Sequence, residues 1–487
     1  MKQIKTYFII ILLLVAPIIL ANIYYIDDIG RSTLGYRSWW EDGRPLSDIF
    51  MSVLMFSGTM VDISPVPLLV ACAMLSWVFY RFSNEFFNNK KELFLLPLSF
   101  LINPFIVEVL SYRFDSLTIL LSAVLSFVFL FTLSKNYYID ILVKAILVVG
   151  VMCLYQASVN IILIFISLLF FYDIYKLKSP LEIIKLSFSR ILSVLLGLVI
   201  YMKVILPLTL KSEHSDNHPR ISVDLFNTVV GNLTSYYSHI EGVILPNGMG
   251  KFILPGFIII SFLSALVVSF RYFKNYKKKL GLLVFVISLL IVLVTPIATI
   301  GSLLPLDNPI IGFSRLYMGI GAYFLFVIFL ATLACKESKF PSLVVLPLYT
   351  YMIVFTCAYA NSSKHQFSVD KQIISSIKED TKEFDYNTNY IIFNGEPPRS
   401  SILVNSSKNF PLLNSLVVSY FGNWTWAYYY MGFNGLKQMD PGYNSKIVNS
   451  SLKNFCNYKL LTSNQDYKLY HEGMNIVVDF SRKDCIK

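Results

Sequence analysis

The sequence predicts an all-α polytopic membrane protein of about eleven transmembrane helices, followed by a small C-terminal α/β domain. Three observations carry this. Hydrophobic residues make up 55% of the 487-residue chain and charged residues only 15%, a balance too apolar for an ordinary soluble domain. Apolar stretches approaching the roughly 20 residues of a membrane-crossing helix recur along the first three quarters of the chain. When the loops between them are assigned alternately to two sides, the Lys/Arg surplus collects on one side.

In chain order the apolar stretches are 7–23, 64–81, 93–111, 117–134, 139–154, 158–173, 190–209, 252–270, 280–300, 313–334 and 341–360. The first lies behind Lys2 and Lys5 and reads as an uncleaved helix, with a signal peptide as the alternative, because no convincing small-residue cleavage site follows it. Placing that end in the cytoplasm puts Arg81, Lys90, Lys91, Lys135, Lys176, Lys178, Lys185 and Arg190 in cytoplasmic loops, together with Arg271, Lys274, Lys277, Lys278, Lys279, Lys336 and Lys339. The short outward loops hold few cations, so the positive-inside rule sets the orientation. The net charge of +11 is thus a topology signal. No basic stripe accompanies it, which argues against nucleic acid, and contact with anionic membrane lipids is its ordinary consequence.

Three segments are too polar to span, and all three emerge on the outward side: 24–63, 210–250 and 361–487. They divide the chain into a membrane domain, 1–360, and a C-terminal domain, 361–487. Within the first loop, residues 33–60 mix Trp39, Trp40, Phe50 and Met51 with charges, which predicts helices lying in the interfacial plane. The tail alternates strand-like runs at 390–393, 458–462 and 475–480 with Asn/Ser/Gly-rich turns. Cys72, Cys153, Cys335 and Cys357 lie in or beside apolar spans, whereas Cys456 and Cys485 both fall in the tail and form a candidate disulfide on the oxidising side.

Candidate chemistry gathers on the outward face. Asp27 and Asp28 follow the first helix directly; a carboxylate there serves as a general base, or else caps an interfacial helix. Arg31, Arg44 and Arg113 come next, and guanidinium forks suit phosphate oxygens. Arg113 and Asp115, in Ser111-Tyr112-Arg113-Phe114-Asp115-Ser116, read alternatively as a local ion pair. Arg315 and Lys203 are further cations in or near the membrane, where snorkelling to the surface competes with function. Gln156 and Asn160, in the turn between the fifth and sixth stretches, offer amides to a sugar or simply satisfy a tight turn. His214, Asp216, His218 and Glu241 have metal-like spacing but no rigid helix to present them, so no metal site is expected. Trp424, Trp426 and Tyr428 to Tyr430 stack on sugar rings or form the core of a small domain.

Asp27-Asp28-Ile29-Gly30-Arg31, then Gly35-Tyr36, Asp42-Gly43-Arg44-Pro45-Leu46, Asn103-Pro104 and Ser111 to Ser116 resemble the serotype-converting O-antigen glucosyltransferases of Gram-negative bacteria and their phages. The resemblance implies a GT-C-type membrane glycosyltransferase of the bacterial inner membrane, with its C-terminal domain periplasmic. Such an enzyme takes glucose from undecaprenyl-phosphate-glucose and attaches it to lipid-linked O-antigen repeat units. It implies functional partners: a bactoprenol glucosyltransferase that charges the carrier and a small flippase. By the same resemblance an acidic residue of the first outward loop is the base, here Asp27 or Asp28, with Asp27 favoured. Arg31, Arg113, Arg315 and Lys203 are then donor-phosphate ligands, and Arg44, Tyr112, Asp115, Gln156 and Asn160 substrate ligands. No metal or other cofactor is required by this chemistry. The rival readings are a flippase or transporter of lipid-linked sugars, and an O-antigen polymerase or ligase.

Overall fold

The computed structural model describes residues 2–132, 134, 136–210, 219–245, 250–385, 387–436, 445–481 and 485. The chain forms two compact units. The first comprises Met1–Ile19, Arg37–Gly58 and Ile63–Cys357, and the second Leu20–Tyr36, Thr59–Asp62 and Ala358–Lys487.

Among the described residues, eight helices are long and apolar enough to cross a membrane: Lys2–Ala21, Val66–Phe87, Tyr137–Leu154, Gln156–Tyr175, Pro180–Thr209, Gly250–Asn275, Ser314–Ala334 and Phe340–Asp380. The last of these carries the chain from the first unit into the second. Asp115–Phe131 and Lys279–Val294 are apolar but shorter, at 17 and 16 residues. The chain is therefore a multi-pass membrane protein.

The expectation of a spanning helix over 93–111 is corrected. That stretch is two 3-10 segments, Lys91–Leu93 and Leu96–Leu101, followed by the short helix Ile106–Ser111. Pro97 and Pro104 remove backbone donors and disfavour helix before them. Every residue from 96 to 112 is buried, the condition under which irregular backbone survives at membrane depth. Hydropathy reads such a segment as a span because it does not distinguish protein surroundings from lipid.

Burial sorts the helices of the first unit. Ser314–Ala334 has 89% of its apolar window buried, against 22% for Pro180–Thr209 and 28% for Gly250–Asn275. The first is the central element, apolar all round, and the other two leave most of their apolar surface for lipid. Close backbone approach locks the central helix in place. A Cβ on Gly319 would lie 2.3 Å from the Thr299 carbonyl oxygen, and one on Gly321 would lie 2.3 Å from that of Phe100.

Ion pairs secure the neighbouring helices. Arg190, expected in a loop, instead sits inside the helix Pro180–Ile200 and meets Asp173 of Val159–Tyr175 at 2.7 Å. Lys144 meets Asp140 one turn earlier in its own helix at 2.6 Å. All four side chains are 5% exposed or less, and a lone charge in such surroundings costs several kcal/mol. The helix Pro45–Met55 is two-faced, with Ser47, Asp48 and Met51 buried while Ile49, Phe50 and Val53 are exposed, the pattern of an interfacial helix.

The second unit holds a four-stranded sheet: β1 (Tyr390–Asn394), β2 (Lys459–Ser463), β3 (Lys468–Glu472) and β4 (Asn475–Asp479). The order is β1-β4-β3-β2, with β1 parallel to β4 and the other pairs antiparallel. Strand alternation sends side chains to both faces. Ile391, Phe393, Ile476 and Val478 pack with Ile373, Ile374 and Ile377 of the long helix, with Tyr430, and with Ile29. On the other face Ile392, Tyr470 and Val477 cover Val448 and Phe455. A disulfide joins Cys456 to Cys485 beside that second cluster.

The substitution Gly321→Val should lower the thermal midpoint of the detergent-purified protein, since overpacking against backbone costs about 1–3 kcal/mol or more. A melting curve superimposable on wild type would refute the close approach of Gly321 to Phe100.

Candidate functional site

In the second unit the chain turns after the first helix and starts the short helix Asp28–Leu34. The turn is held at two points. Tyr420 accepts the Ile26 N–H on its hydroxyl at 2.8 Å, and Asp28 accepts the Tyr25 N–H on Oδ2 at 3.2 Å. Asp28 is wholly buried, so its carboxylate belongs to the architecture of the turn. Asp27 is different. Its side chain keeps 14% exposure, and Arg31, one helical turn on, donates to its Oδ2 from Nε at 3.0 Å and from Nη2 at 2.7 Å. Asp27 occupies the N-cap position but makes no capping hydrogen bond with its side chain. Arg31 is itself buried and lies 5.7 Å from the Tyr36 ring centre.

Glycine is needed at residue 30. A Cβ there would come within 2.8 Å of the Tyr429 ring and 2.9 Å of the Tyr36 ring. The aromatic run after Asn423 thus packs on the Asp27 helix, and Tyr430 stacks on Tyr420 at 4.2 Å between ring centres. Those rings are largely core.

The first unit has its own polar cluster, built around two arginines. Arg44 reaches Asp115 Oδ1 at 2.8 Å from one terminal nitrogen and Thr118 Oγ1 at 3.2 Å from the other, while its Nε donates to the Leu154 carbonyl at 2.8 Å. Trp39 donates to the same Asp115 oxygen at 2.9 Å. Both charged side chains are buried, so they fix the first loop onto the helices Asp115–Phe131 and Tyr137–Leu154. Arg315 lies over the Tyr112 ring at 5.2 Å and the Phe313 ring at 5.0 Å, and it hydrogen-bonds the Tyr112 hydroxyl. Its side chain keeps 29% exposure, which leaves the cation reachable.

Glu108 was not singled out in the sequence, where it sits unremarked in an apolar stretch. It is buried and receives the Arg315 backbone N–H on Oε2 at 3.0 Å and the Tyr112 hydroxyl on Oε1 at 3.4 Å. Glu108 therefore orients Arg315 and Tyr112. A carboxylate inside an otherwise apolar run was the available signal.

The remaining candidates separate. Gln156 Nε2 donates to the Asp42 carbonyl at 2.9 Å and to the Tyr201 hydroxyl at 3.0 Å, and Tyr201 donates to the Gly43 carbonyl at 2.8 Å. This clamp requires glycine at 43, whose φ is +74° and whose Cβ would meet the Tyr201 hydroxyl at 2.8 Å. Asn160 Oδ1 accepts the Ser302 N–H at 2.8 Å. Arg113 is half-buried immediately before the helix Asp115–Phe131. Lys203 is exposed in a π-helical turn, Tyr201–Ile205, beside the exposed Met202 and Val204. His214, Asp216 and His218 lie outside the described residues.

The many-helix membrane unit holds a partly exposed arginine beside a buried carboxylate, and the second unit holds a partly exposed aspartate close to aromatic rings. The chain belongs to the glucosyl transferase GtrII family, whose model matches residues 16–328, a range containing every candidate site residue from Asp27 to Arg315. It is 25% identical over 473 residues to an uncharacterized 55.3 kDa protein in the gtrB 5′ region of Salmonella phage P22, with 96% of this chain and 95% of the phage protein covered. No solved structure matches the chain.

Replacing Arg44 by Met strands Asp115 in an apolar interior and should cost about 3–5 kcal/mol. Adding Asp115→Ala should recover part of that loss. Strictly additive losses in the two single variants and the double variant, read by thermal unfolding, would show that the pair is uncoupled.

Proposed function

We propose that the protein transfers glucose from undecaprenyl-phosphate-glucose to O-antigen repeat units of lipopolysaccharide at the periplasmic face of the bacterial inner membrane. In this reading the N-terminus is cytoplasmic and the C-terminal domain periplasmic. Support for the orientation comes from the positive loops on one side and from the Cys456–Cys485 disulfide on the other, since disulfides persist in oxidising compartments. Support for the sugar and the transfer comes from membership in the GtrII family. The gtrB neighbourhood of the phage relative fits a system with a separate glucosyltransferase that charges the carrier and a small flippase that delivers it.

The observation that carries the catalytic assignment is the contrast between the two aspartates. Asp28 is buried and tied to the Tyr25 amide, whereas Asp27 keeps contact with solvent. Asp27 is then the general base: it takes the proton of the acceptor hydroxyl as that oxygen attacks the anomeric carbon. The Arg31 pair holds it oriented. A single displacement of this kind inverts the donor anomer. The departing polyprenyl phosphate gathers negative charge, which preorganised cations stabilise. Arg315, reachable and held by Glu108, is the strongest such group, with Arg113 and Lys203 as further phosphate contacts. Arg44, Tyr112, Asp115, Gln156 and Asn160 act mainly by holding the loops that line the substrate path.

Lipopolysaccharide from cells carrying the chain should gain one hexose per modified repeat unit by mass analysis, and an unchanged mass with donor supplied would favour a transporter. Asp27→Asn should lower the transfer rate about a hundredfold or more, whereas Asp28→Asn should chiefly lower the yield of folded protein. Wild-type transfer by Asp27→Asn ends the base assignment. Arg315→Ala should weaken use of the lipid-linked donor more than use of the acceptor; an unaltered donor KM would remove Arg315 from the phosphate site.

A further inference from the structure

The second unit contains a cavity that the assignments above do not use. Tyr25, Ser363, Gln366, Asp370, Tyr420 and Tyr430 are among the residues that line it. Asp370 lies in the polar part of the long helix, beyond the apolar run that ends near Ala360, and is 2% exposed. Gln366, one turn before it, is fixed from two sides. Its Oε1 accepts the Ser400 N–H at 2.8 Å, and its Nε2 donates to Asp370 Oδ1 at 2.8 Å. The carboxylate is therefore aimed by its neighbour. Burial pushes its pKa up to about 6, against the opposing effects of Gln366, Arg399 and the Tyr430 hydroxyl.

Ser363 supplies the second, independent observation. It is 6% exposed and lines the cavity, yet its hydroxyl finds no hydrogen-bond partner among the described residues. Leaving such a group unsatisfied costs about 1–3 kcal/mol. Asp370 forms no salt bridge among the described residues; Gln366, the Tyr430 hydroxyl and the charge of Arg399 are what compensate it. The Ser363 cost vanishes when a hydroxyl-bearing ligand enters, and the Asp370 carboxylate has lone pairs to accept from it. Tyr420 and Tyr430, stacked on one another, give the site a rigid aromatic wall.

We propose that this cavity is a saccharide subsite that takes the hydroxyl-bearing edge of one sugar of the acceptor glycan, with Asp370 accepting from a sugar hydroxyl and Ser363 completing the contact. This deepens the transferase reading and rests on it. Size decides how much of the sugar enters. The cavity has about 30 Å³ of room for water-sized groups, enough for one or two such groups. A hydroxyl or hydroxymethyl group fits and a whole ring does not. The location is apt, because Tyr420 also holds the Ile26 amide and Tyr25 is held by Asp28, in the turn that presents Asp27.

The test uses the full chain in lipid nanodiscs, with wild type, Ser363→Ala and Asp370→Asn, each checked for normal size-exclusion behaviour. Saturation-transfer NMR with free galactose, mannose and rhamnose as probes should give a signal from wild type that weakens in both variants. In transfer assays each variant should raise the acceptor KM about 5–10-fold, a larger change than in kcat or donor KM. Asp27→Asn separates the two levels, since it should lower transfer about a hundredfold or more while the saccharide signal stays. If wild type transfers no glucose but the saccharide signal still falls in both variants, the transferase reading fails and the subsite stands. No wild-type signal with any probe, or signals and acceptor KM equal in all three proteins, means that the cavity holds water only, and the proposal is overturned.

Discussion

An ionised side chain removed from water must be met by a partner, and in this protein that requirement fixes the positions of the helices and loops that matter. The Arg44–Asp115 pair is the clearest case. Arg44 spends its guanidinium on a carboxylate, a threonine hydroxyl and a helix-end carbonyl, so the loop carrying it is held to two helices of the membrane unit. Arg190 with Asp173, and Lys144 with Asp140, do the same for neighbouring helices. Breaking such a pair costs far more than the pair contributes relative to an apolar replacement, so each is a strong constraint on where its helices sit.

The same rule separates structural charges from chemical ones. A charge whose hydrogen bonds are all spent inside the fold is committed. One that is held in place yet still reachable is available. Arg44 belongs to the first kind, and Asp28 is wholly buried within its turn. Asp27, gripped by Arg31 but partly exposed, and Arg315, seated by Glu108 but partly exposed, belong to the second. Glu108 holds Arg315 and Arg31 holds Asp27, and in the proposed reaction such fixed groups need no reorganisation when charge develops.

Aromatic packing performs the equivalent task in the second unit. Tyr420 braces the turn before Asp27 through a hydrogen bond and stacks on Tyr430, while Tyr429 closes over Gly30. The tyrosines and tryptophans of the tail therefore matter less as a surface for stacking ligands than as the wall that supports the Asp27 turn and the Asp370 cavity.

Much of the fold was legible in the sequence. Apolar run length gave most of the membrane helices, because crossing lipid demands it. Alternation gave β1, β2 and β4, and missed β3, whose Lys468-Leu469-Tyr470-His471-Glu472 has only two apolar residues between charged and polar ones. The combination of short motifs from Asp27 to Ser116 marked the family. Three things were decided only by tertiary structure. Segment 93–111 breaks at its prolines because surrounding protein, not lipid, buries it. Asp115 takes Arg44 as a partner, from 71 residues earlier in the chain, a choice no local spacing encodes. Residues Leu20–Tyr36 join the C-terminal unit, since Ile29 and the aspartate turn find their packing and hydrogen-bond partners there. Composition and periodicity report what each segment requires of its surroundings; which distant segment meets that requirement is set by packing.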